Sequence, residues 1–168
     1  MLYQDEVDIH LNPKIGPCWM PRGQQFEVET PGQNKKRYIY GGLNPQTGNI
    51  IWTVSERKNA DGFIDWLKVM SSRYRRYRKI HVVLDNYIIH KTKRVKEMVK
   101  SMKRICLHFL PPYSPELNPI ERLWGELHAH VTRNHQCHDI EQLMEQACAF
   151  LENAAPYPGN RPALRCSE

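Results

Sequence analysis

A chain of 168 residues, with 40% hydrophobic and 25% charged residues, is long enough for one domain with a buried core. Its five cysteines form no CxxC pair, which argues against a disulfide framework or a zinc ribbon and favours a reducing compartment. No apolar run approaches the roughly 18 residues of a membrane span, and the acidic N-terminus lacks a signal core, so we expect a cytoplasmic protein without membrane contact.

The net charge of +6 is distributed unevenly along the chain. Residues 68–104 contain 13 Lys and Arg against two acids, so this block carries +11 and the rest of the chain carries −5. A charge run of this kind is either a solvated helix face or a surface for a polyanion. We favour nucleic acid, because RYRRYRK (73–79) places Tyr74 and Tyr77 among five basic residues that suit phosphate contacts and stacking.

The opening third of the chain predicts an antiparallel meander. Residues 2–12 alternate between the two faces of a strand. The apolar face carries Tyr3, Asp5, Val7, Ile9 and Leu11. The other face carries Gln4, Glu6, Asp8 and His10, and we expect Glu6 and Asp8 to be solvated. Three further strands are predicted, separated by turn sequences, at 24–30, 37–43 and 50–56.

The pattern then changes to helices that alternate with short strands. Helical spacing predicts helices over 61–78 (capped by Asn59 or Asp61), around 95–102, after the prolines from Ile120, and from Asp139 onward. Continuous apolar runs predict buried strands at 80–84 and 105–110. This order predicts an α/β domain over 1–153, with a mixed sheet flanked by helices, followed by a loose tail over 154–168.

Three carboxylates occupy positions that suit chemistry, and each also has an ordinary explanation. Asp5 lies on the apolar face of a strand, where a lone carboxylate is costly unless it is paired or partly exposed. Asp85 follows a buried strand, at the edge where ligands gather in α/β sheets, although Asp-Asn pairs also form turns. Glu121 follows Asn118 and Pro119, so a helix capping box would account for it.

The three acids together predict a metal site. Carboxylates from neighbouring strand ends and a helix start can hold two Mg²⁺ ions, which prefer a few carboxylates, waters and phosphate oxygens. Such ions activate a water or a 3′-hydroxyl and stabilise the leaving oxygen in a phosphodiester displacement. Acids beside a basic face therefore indicate a nuclease or a strand-transfer enzyme.

Four sequence elements contain or flank the three acids. They are DEV (5–7), CWMPRGQ with Trp19 and Gly23, LDNYIIH (84–90), and the proline-rich LPPYSPELNPIERLW, with 35 residues between the last two acids. In this order they resemble the motifs of mariner-superfamily DDE transposases, most closely the bacterial insertion-sequence branch. DEV resembles that family's first acidic element, CWMPRGQ the W-x-x-x-G that follows it, LDNYIIH its D-N-x-x-x-H element, and the proline-rich stretch the element with the third acid.

This resemblance implies an RNase H-like α/β fold, whose mixed five-stranded sheet is an antiparallel meander followed by parallel strands. It implies Mg²⁺-dependent cleavage at transposon ends (Mn²⁺ substituting) and insertion at TA dinucleotides. Asp5, Asp85 and Glu121 are then the catalytic, metal-binding triad. Asn86 and His90 match flanking positions, and His90 is expected either to orient phosphate or DNA or to be an ordinary histidine at a helix start. We expect Trp124 to belong to the core.

Double-stranded DNA, as transposon ends and target, is the partner that the resemblance implies, with a homodimer forming on it in the nucleoid. The predicted DNA contacts are Asn86, His90, Arg73, Arg75, Arg76, Arg78, Lys79, Lys91, Lys93, Arg94 and Arg122. The family normally carries N-terminal helix-turn-helix domains, which we do not expect in this chain because Met1 lies four residues before Asp5. A separately encoded DNA-reading half is therefore an expected partner.

Two other functions remain open from the residues. The chain is alternatively a DNA-binding or dimerising remnant of a transposase without catalysis. A zinc site is disfavoured, because His128 and His130 would point about 200° apart on a helix. The remaining candidate zinc ligands are Cys106, His108, His135, Cys137 and His138.

Overall fold

The computed structural model describes residues 1–24, 27–112 and 114–157, and its centre is a five-stranded sheet of order β3-β2-β1-β4-β5. The strands are β1 (Leu2–His10), β2 (Lys36–Leu43), β3 (Ile50–Ser55), β4 (Ile80–Leu84) and β5 (Ile105–Phe109). β1, β2 and β3 pair antiparallel, and β4 runs parallel to both β1 and β5. The predicted mixed sheet, a meander followed by parallel strands, is confirmed.

The predicted strand over 24–30 is wrong in the part that the structure describes. Gln24 and residues 27–30 belong to no strand, and Gln25 and Phe26 lie outside the described residues. The described part offers one apolar side chain, the half-buried Val28, which is too little apolar surface to hold a strand on the sheet. Residues 27–35, which directly precede β2, are irregular.

Within the described residues, four helices cover the sheet: α1 (Ala60–Arg73), α2 (Lys93–Ser101), α3 (Ile120–Leu127) and α4 (Ile140–Ala154). Asn59 caps α1 by accepting the Gly62 N–H at 3.0 Å, and Asp139 caps α4 by accepting the Gln142 N–H at 2.7 Å. Short 3₁₀ turns occupy Ile88–Lys91 and Pro115–Leu117, and a π-helical turn over His128–Thr132 extends α3. None of the helices in the described ranges is both long and apolar enough to cross a membrane.

Both faces of the sheet are buried, each under its own pair of helices. Val7 and Ile9 of β1 pack with α3 and α4 on one face, whereas Leu2 and Val82 pack with α1 and α2 on the other. The prediction that Glu6 is solvated is therefore wrong: Glu6 is 7% exposed, because α1 and the Ile88–Lys91 turn cover its face. Its buried carboxylate lies beside His90, which also contacts Asp85.

The chain after α4 returns to the sheet rather than leaving it as a loose tail. Tyr157 is buried, its N–H donates to the Gly48 carbonyl at 2.7 Å, and its hydroxyl donates to Glu126 at 2.8 Å. Residues 158–168, the rest of the predicted tail, lie outside the described residues.

Candidate active site

The structure brings the three predicted acids to one cavity. Asp5 lies in the middle of β1, Asp85 directly follows β4, and Glu121 lies in the first turn of α3. All three line a cavity of about 500 Å³. The remaining wall comes from Asn86, Tyr87, Leu110, Pro111, Pro112, Ser114, Pro115 and Asn118. β1 and β4 are parallel neighbours, which places their acids at the same edge of the sheet.

Asp5 is held by an indole. The Trp124 Nε1–H donates to Asp5 Oδ2 at 3.1 Å, and Trp124 itself is 3% exposed, so its predicted place in the core is confirmed. Gly41 of β2 pairs with Asp5 of β1, and a Cβ added at Gly41 would lie 2.4 Å from the Trp124 ring. Burial first, and then the negative charges of nearby acids led by Glu121, raise the pKa of Asp5 to about 8.

Asp85 is held by a histidine and by its own backbone. Its Oδ1 lies 3.2 Å from His90 Nε2 and accepts the Tyr87 N–H at 2.9 Å. The bond to Tyr87 is the local turn expected of an Asp-Asn pair, so the turn and the site use the same side chain. The hydrogen bond from His90 is the main cause that lowers the pKa of Asp85.

Glu6 is a residue of the site region that sequence reasoning missed. Its buried carboxylate accepts from Gln4 Nε2 at 2.8 Å and lies 3.6 Å from His90 Nε2 and 3.8 Å from Lys58 Nζ. Burial is the first cause of its raised pKa. The signal was present in the chain: alternating helices and strands predict helices on both faces of the sheet, which leaves no solvated face for β1.

His90 is buried beneath the cavity, and its predicted contact with DNA stays a prediction. The side chain is 1% exposed, its Nε2 lies near both Asp85 and Glu6, and its ring is edge-on to Phe63 at 4.4 Å between centroids. His90 therefore contacts Asp85 from inside the protein and not from the open cavity.

Glu121 is not part of a capping box. The Asn118 amide donates to the Gln4 carbonyl at 3.1 Å instead of capping α3, and the structure gives α3 no side-chain cap. Asn118 thereby ties the start of α3 to β1, one residue from Asp5. Glu121 is left exposed at the cavity, and none of the described residues forms a salt bridge with it.

The predicted DNA contacts fall into separate groups. Asn86 lines the cavity, donates to the Leu110 carbonyl and accepts from Lys91 at 2.8 Å. Arg94 pairs with Asp61 at 2.6 Å. Lys93 lies 3.9 Å from Glu97, and Arg122 lines a neighbouring cavity beside Tyr157. Residues 73–79 precede β4, whereas Asp85 follows it, so they lie at the opposite end of the sheet from the acids.

The disfavoured zinc site is not assembled. In the described part of the chain, no three His, Cys, Asp or Glu side chains form a ready-made metal-binding group. Cys18, Cys106, Cys137 and Cys148 are free thiols.

A family model described as DDE superfamily endonuclease matches residues 1–144. The chain belongs to this family. It is 44% identical over 164 residues to the "Insertion element IS630 uncharacterized 39 kDa protein" of Shigella sonnei, which covers 98% of this chain and 48% of that protein. It is also 32% identical over 92 residues to the Tc3 transposase of Caenorhabditis elegans, covering 53% of this chain and 28% of the relative. The chain thus spans about half the length of the Shigella relative.

Solved structures of the Mos1 transposase share the fold. The Mos1 paired-end complex with the left transposon end matches with a TM-score of 0.65 and 18% identity, covering 90% of this chain and 47% of that one. The Mos1 catalytic domain matches with a TM-score of 0.58 and 15% identity, covering 90% and 69%. The predicted RNase H-like fold is therefore confirmed, and the family model and the Shigella relative confirm the resemblance to DDE transposases.

Proposed function

We propose that this chain is the catalytic domain of a DDE transposase, which cuts DNA strands by hydrolysis and joins them by transesterification with a divalent metal. The observation that carries the proposal is the convergence of Asp5, Asp85 and Glu121 on one cavity from three separate elements. Membership of the DDE superfamily endonuclease family supports the same chemistry.

The donor set at this cavity fits Mg²⁺ or Mn²⁺. Carboxylates are ligands that Mg²⁺ prefers. Burial and the repulsion of neighbouring acids raise the pKa of Asp5, and a bound cation would instead favour its ionised form. Asp5, Asp85 and Glu121 would hold the ions, two in our proposal. The chemistry that such ions supply is activation of a water or a DNA 3′-hydroxyl and stabilisation of the leaving oxygen.

The protein's own contribution is to fix two carboxylates and leave the third adjustable. Asp5 is oriented by the Trp124 indole, and Asp85 is oriented by His90 and the Tyr87 N–H. Glu121 stands exposed on a helix whose start is tied to β1 through Asn118. The two oriented carboxylates reduce the cost of assembling the site when metal and substrate arrive; among the described residues no three such side chains form a ready-made metal group beforehand.

Substrate and partners extend the proposal. Mos1 transposase is known in complexes with transposon ends, with Mg and with Mn. For this chain we propose duplex DNA as the substrate, transposon ends and TA dinucleotides as the sites of reaction, and a homodimer on DNA. A helix-turn-helix half, encoded with or apart from this chain, would read the ends. The resemblance of the proline-rich and acidic elements supports these finer points.

The test is metal-dependent nicking of duplex DNA that carries the element's ends, by the full chain alone and together with its helix-turn-helix half. Asp5→Asn, Asp85→Ala and Glu121→Gln should each reduce nicking to background in Mg²⁺ and in Mn²⁺. Glu116→Gln is the matched control, because Glu116 is an exposed glutamate that lines the neighbouring cavity and not this one.

Binding of the same duplex is measured separately in EDTA. Nicking that survives in all three variants would contradict the proposal. DNA binding without nicking under any of these conditions would establish the non-catalytic remnant instead.

A further inference from the structure

The strongest concentration of positive charge lies away from the carboxylates. Six exposed cations lie at the opposite end of the sheet, at the end of α1 and in the connections that lead into β4 and β5: Arg73, Arg75, Arg76, Arg78, Lys79 and Lys103. We call this set the far-end patch. Since β4 rises about 3.3 Å per residue, its six steps from Lys79 to Asp85 place the patch about 20 Å from the cavity.

Among the described residues, no salt bridge joins an acid to any of these six side chains. The only acids between residues 68 and 104 are Asp85, which lies at the cavity, and Glu97, which pairs with Lys93 on α2. The β2–β3 connection, residues 44–49, ends at the same edge and contains no acid. Six like charges without counter-charges raise the local potential and attract a polyanion.

The loop that carries the patch is held in one shape by a single guanidinium. Arg104 donates to the carbonyls of Tyr74, Arg75 and Tyr77 at 3.1, 2.9 and 3.1 Å. It also donates to the carbonyl and hydroxyl of Ser71 at 3.2 and 3.0 Å. Carbonyls that turn inward to Arg104 leave the arginine side chains displayed outward, so little conformational freedom is lost when an anion binds.

One tyrosine is displayed with the arginines. Tyr77 is 59% exposed, whereas Tyr74 is half-buried and packs edge-on against it at 5.5 Å between ring centroids. An exposed tyrosine hydroxyl can donate to a phosphate oxygen beside the arginines, as happens on duplex backbones.

We propose that the far-end patch is a second DNA-binding surface, which grips the phosphate backbone of duplex DNA outside the segment that reaches the carboxylates. This inference rests on the proposed function in taking DNA as the polyanion. The contacts are to phosphates, so binding there is independent of base sequence and is weakened by salt. The surface would hold either flanking DNA that curves around the sheet or a separate duplex.

Matched photo-crosslinking probes at the two ends test the location. Tyr77→benzoylphenylalanine samples the far-end patch, and Tyr87→benzoylphenylalanine samples the cavity, which Tyr87 lines with 42% exposure. In the full chain with duplex DNA in EDTA, both positions should crosslink. Crosslinks from position 87 alone would overturn the far-end patch and leave the proposed function standing. Crosslinks from position 77 alone would support the patch and count against the cavity, and crosslinks from neither would contradict both.

Charge-matched variants test the energetics. Arg75→Gln/Arg78→Gln should weaken duplex binding about tenfold at moderate salt and make the slope of log Kobs against log salt shallower by about 2. Lys68→Gln/Lys96→Gln removes the same charge from the exposed surfaces of α1 and α2 and should change both quantities much less.

Equal effects of the two double variants would overturn the proposal, because they would show that DNA binding depends on the net charge of the protein and not on the position of the patch. The same variants are also measured on vesicles containing phosphatidylserine. A loss of vesicle binding without a loss of DNA binding would overturn it as well, because the partner would then be a membrane surface.

Discussion

The Nε2 atom of His90 lies 3.2 Å from Oδ1 of Asp85 and 3.6 Å from Oε1 of Glu6. One buried imidazole therefore joins an acid of the cavity to an acid of the interior. Glu6 is not at the cavity, and Lys58 at 3.8 Å is its other charged partner. We interpret His90 as a positioning residue that acts through Asp85.

The first prediction is energetic coupling between His90 and Glu6. His90→Ala leaves Glu6 buried with a weaker set of partners and should cost about 2–4 kcal/mol of unfolding free energy. Glu6→Gln removes the charge, so adding it to His90→Ala should recover part of that loss, with a coupling of about 1–3 kcal/mol. Urea denaturation in EDTA measures the cycle, and additive effects would contradict the coupling.

The positioning role has its own readout. His90→Ala should raise the Mg²⁺ concentration needed for half-maximal nicking, whereas a purely structural loss would lower the folded fraction without moving that midpoint. His90→Gln restores a donor near Asp85 and should shift the midpoint back toward that of the unmodified chain.

The second prediction concerns opposite effects of neutralising two neighbouring acids. The pKa of Asp5 is raised from its ordinary 3.8 to about 8, so the folded chain holds a proton there that the unfolded chain releases, and stability falls as pH rises from about 4 to 8. Asp5→Asn should remove this loss and stabilise the metal-free chain at pH 8 by about 1–2 kcal/mol, well below the full shift because Asp5 is only partly buried.

Asp85→Asn is the control, because the pKa of Asp85 is shifted in the opposite direction to that of Asp5. His90 lowers the pKa of Asp85, so its ionised form contributes stability that is present above the ordinary pKa and is lost as pH falls. Asp85→Asn should therefore leave the chain unchanged or less stable at pH 8. Thermal melts in EDTA at pH 5 and pH 8 measure both variants, and a gain from Asp85→Asn equal to that from Asp5→Asn would contradict the assignment.

Much of this architecture could be predicted because most elements have a clear local sequence pattern. β4 and β5 are continuous apolar runs, and the caps Asn59 and Asp139 precede strong helical periodicity, so these elements lie close to where the sequence predicts them. The three acids of the cavity were predictable because each stands at the end or on the face of such an element.

What the sequence did not predict depends on contacts between distant segments. Glu6 alternates as a solvent-facing residue would, and only the helix packed on its face makes it a buried partner of His90. Asn118 has the spacing of a cap, yet its amide binds the Gln4 carbonyl 114 residues away. In both cases a tertiary contact overrides a correct local pattern.

The third prediction concerns the packing of Trp124 over Gly41. A Cβ at Gly41 would lie 2.4 Å from the ring that holds Asp5, so Gly41→Ala should displace Trp124, cost about 1–3 kcal/mol and reduce nicking. Gly125→Ala is the matched control, because Gly125 is an exposed position of α3 with nothing within 4 Å of a built Cβ. It should be neutral or stabilise the chain by up to about 1 kcal/mol. Equal effects of the two substitutions in urea melts would show that Trp124 tolerates displacement.

The last prediction separates the shape of residues 73–79 from their charge. Arg104 reaches four backbone carbonyls and one hydroxyl with a planar fork, which a lysine ammonium cannot reproduce. Arg104→Lys should therefore cost about 1–3 kcal/mol and weaken duplex binding at the far-end patch, although the net charge stays at +6. Lys100→Arg is the control, since it alters an exposed cation of α2 outside the far-end patch and should change neither quantity. Hydrogen exchange of the amides of residues 73–79, measured beside DNA affinity, gives the direct readout. Faster exchange together with weaker binding is expected, and unchanged exchange in Arg104→Lys would mean that the Tyr74–Tyr77 contact holds the loop instead.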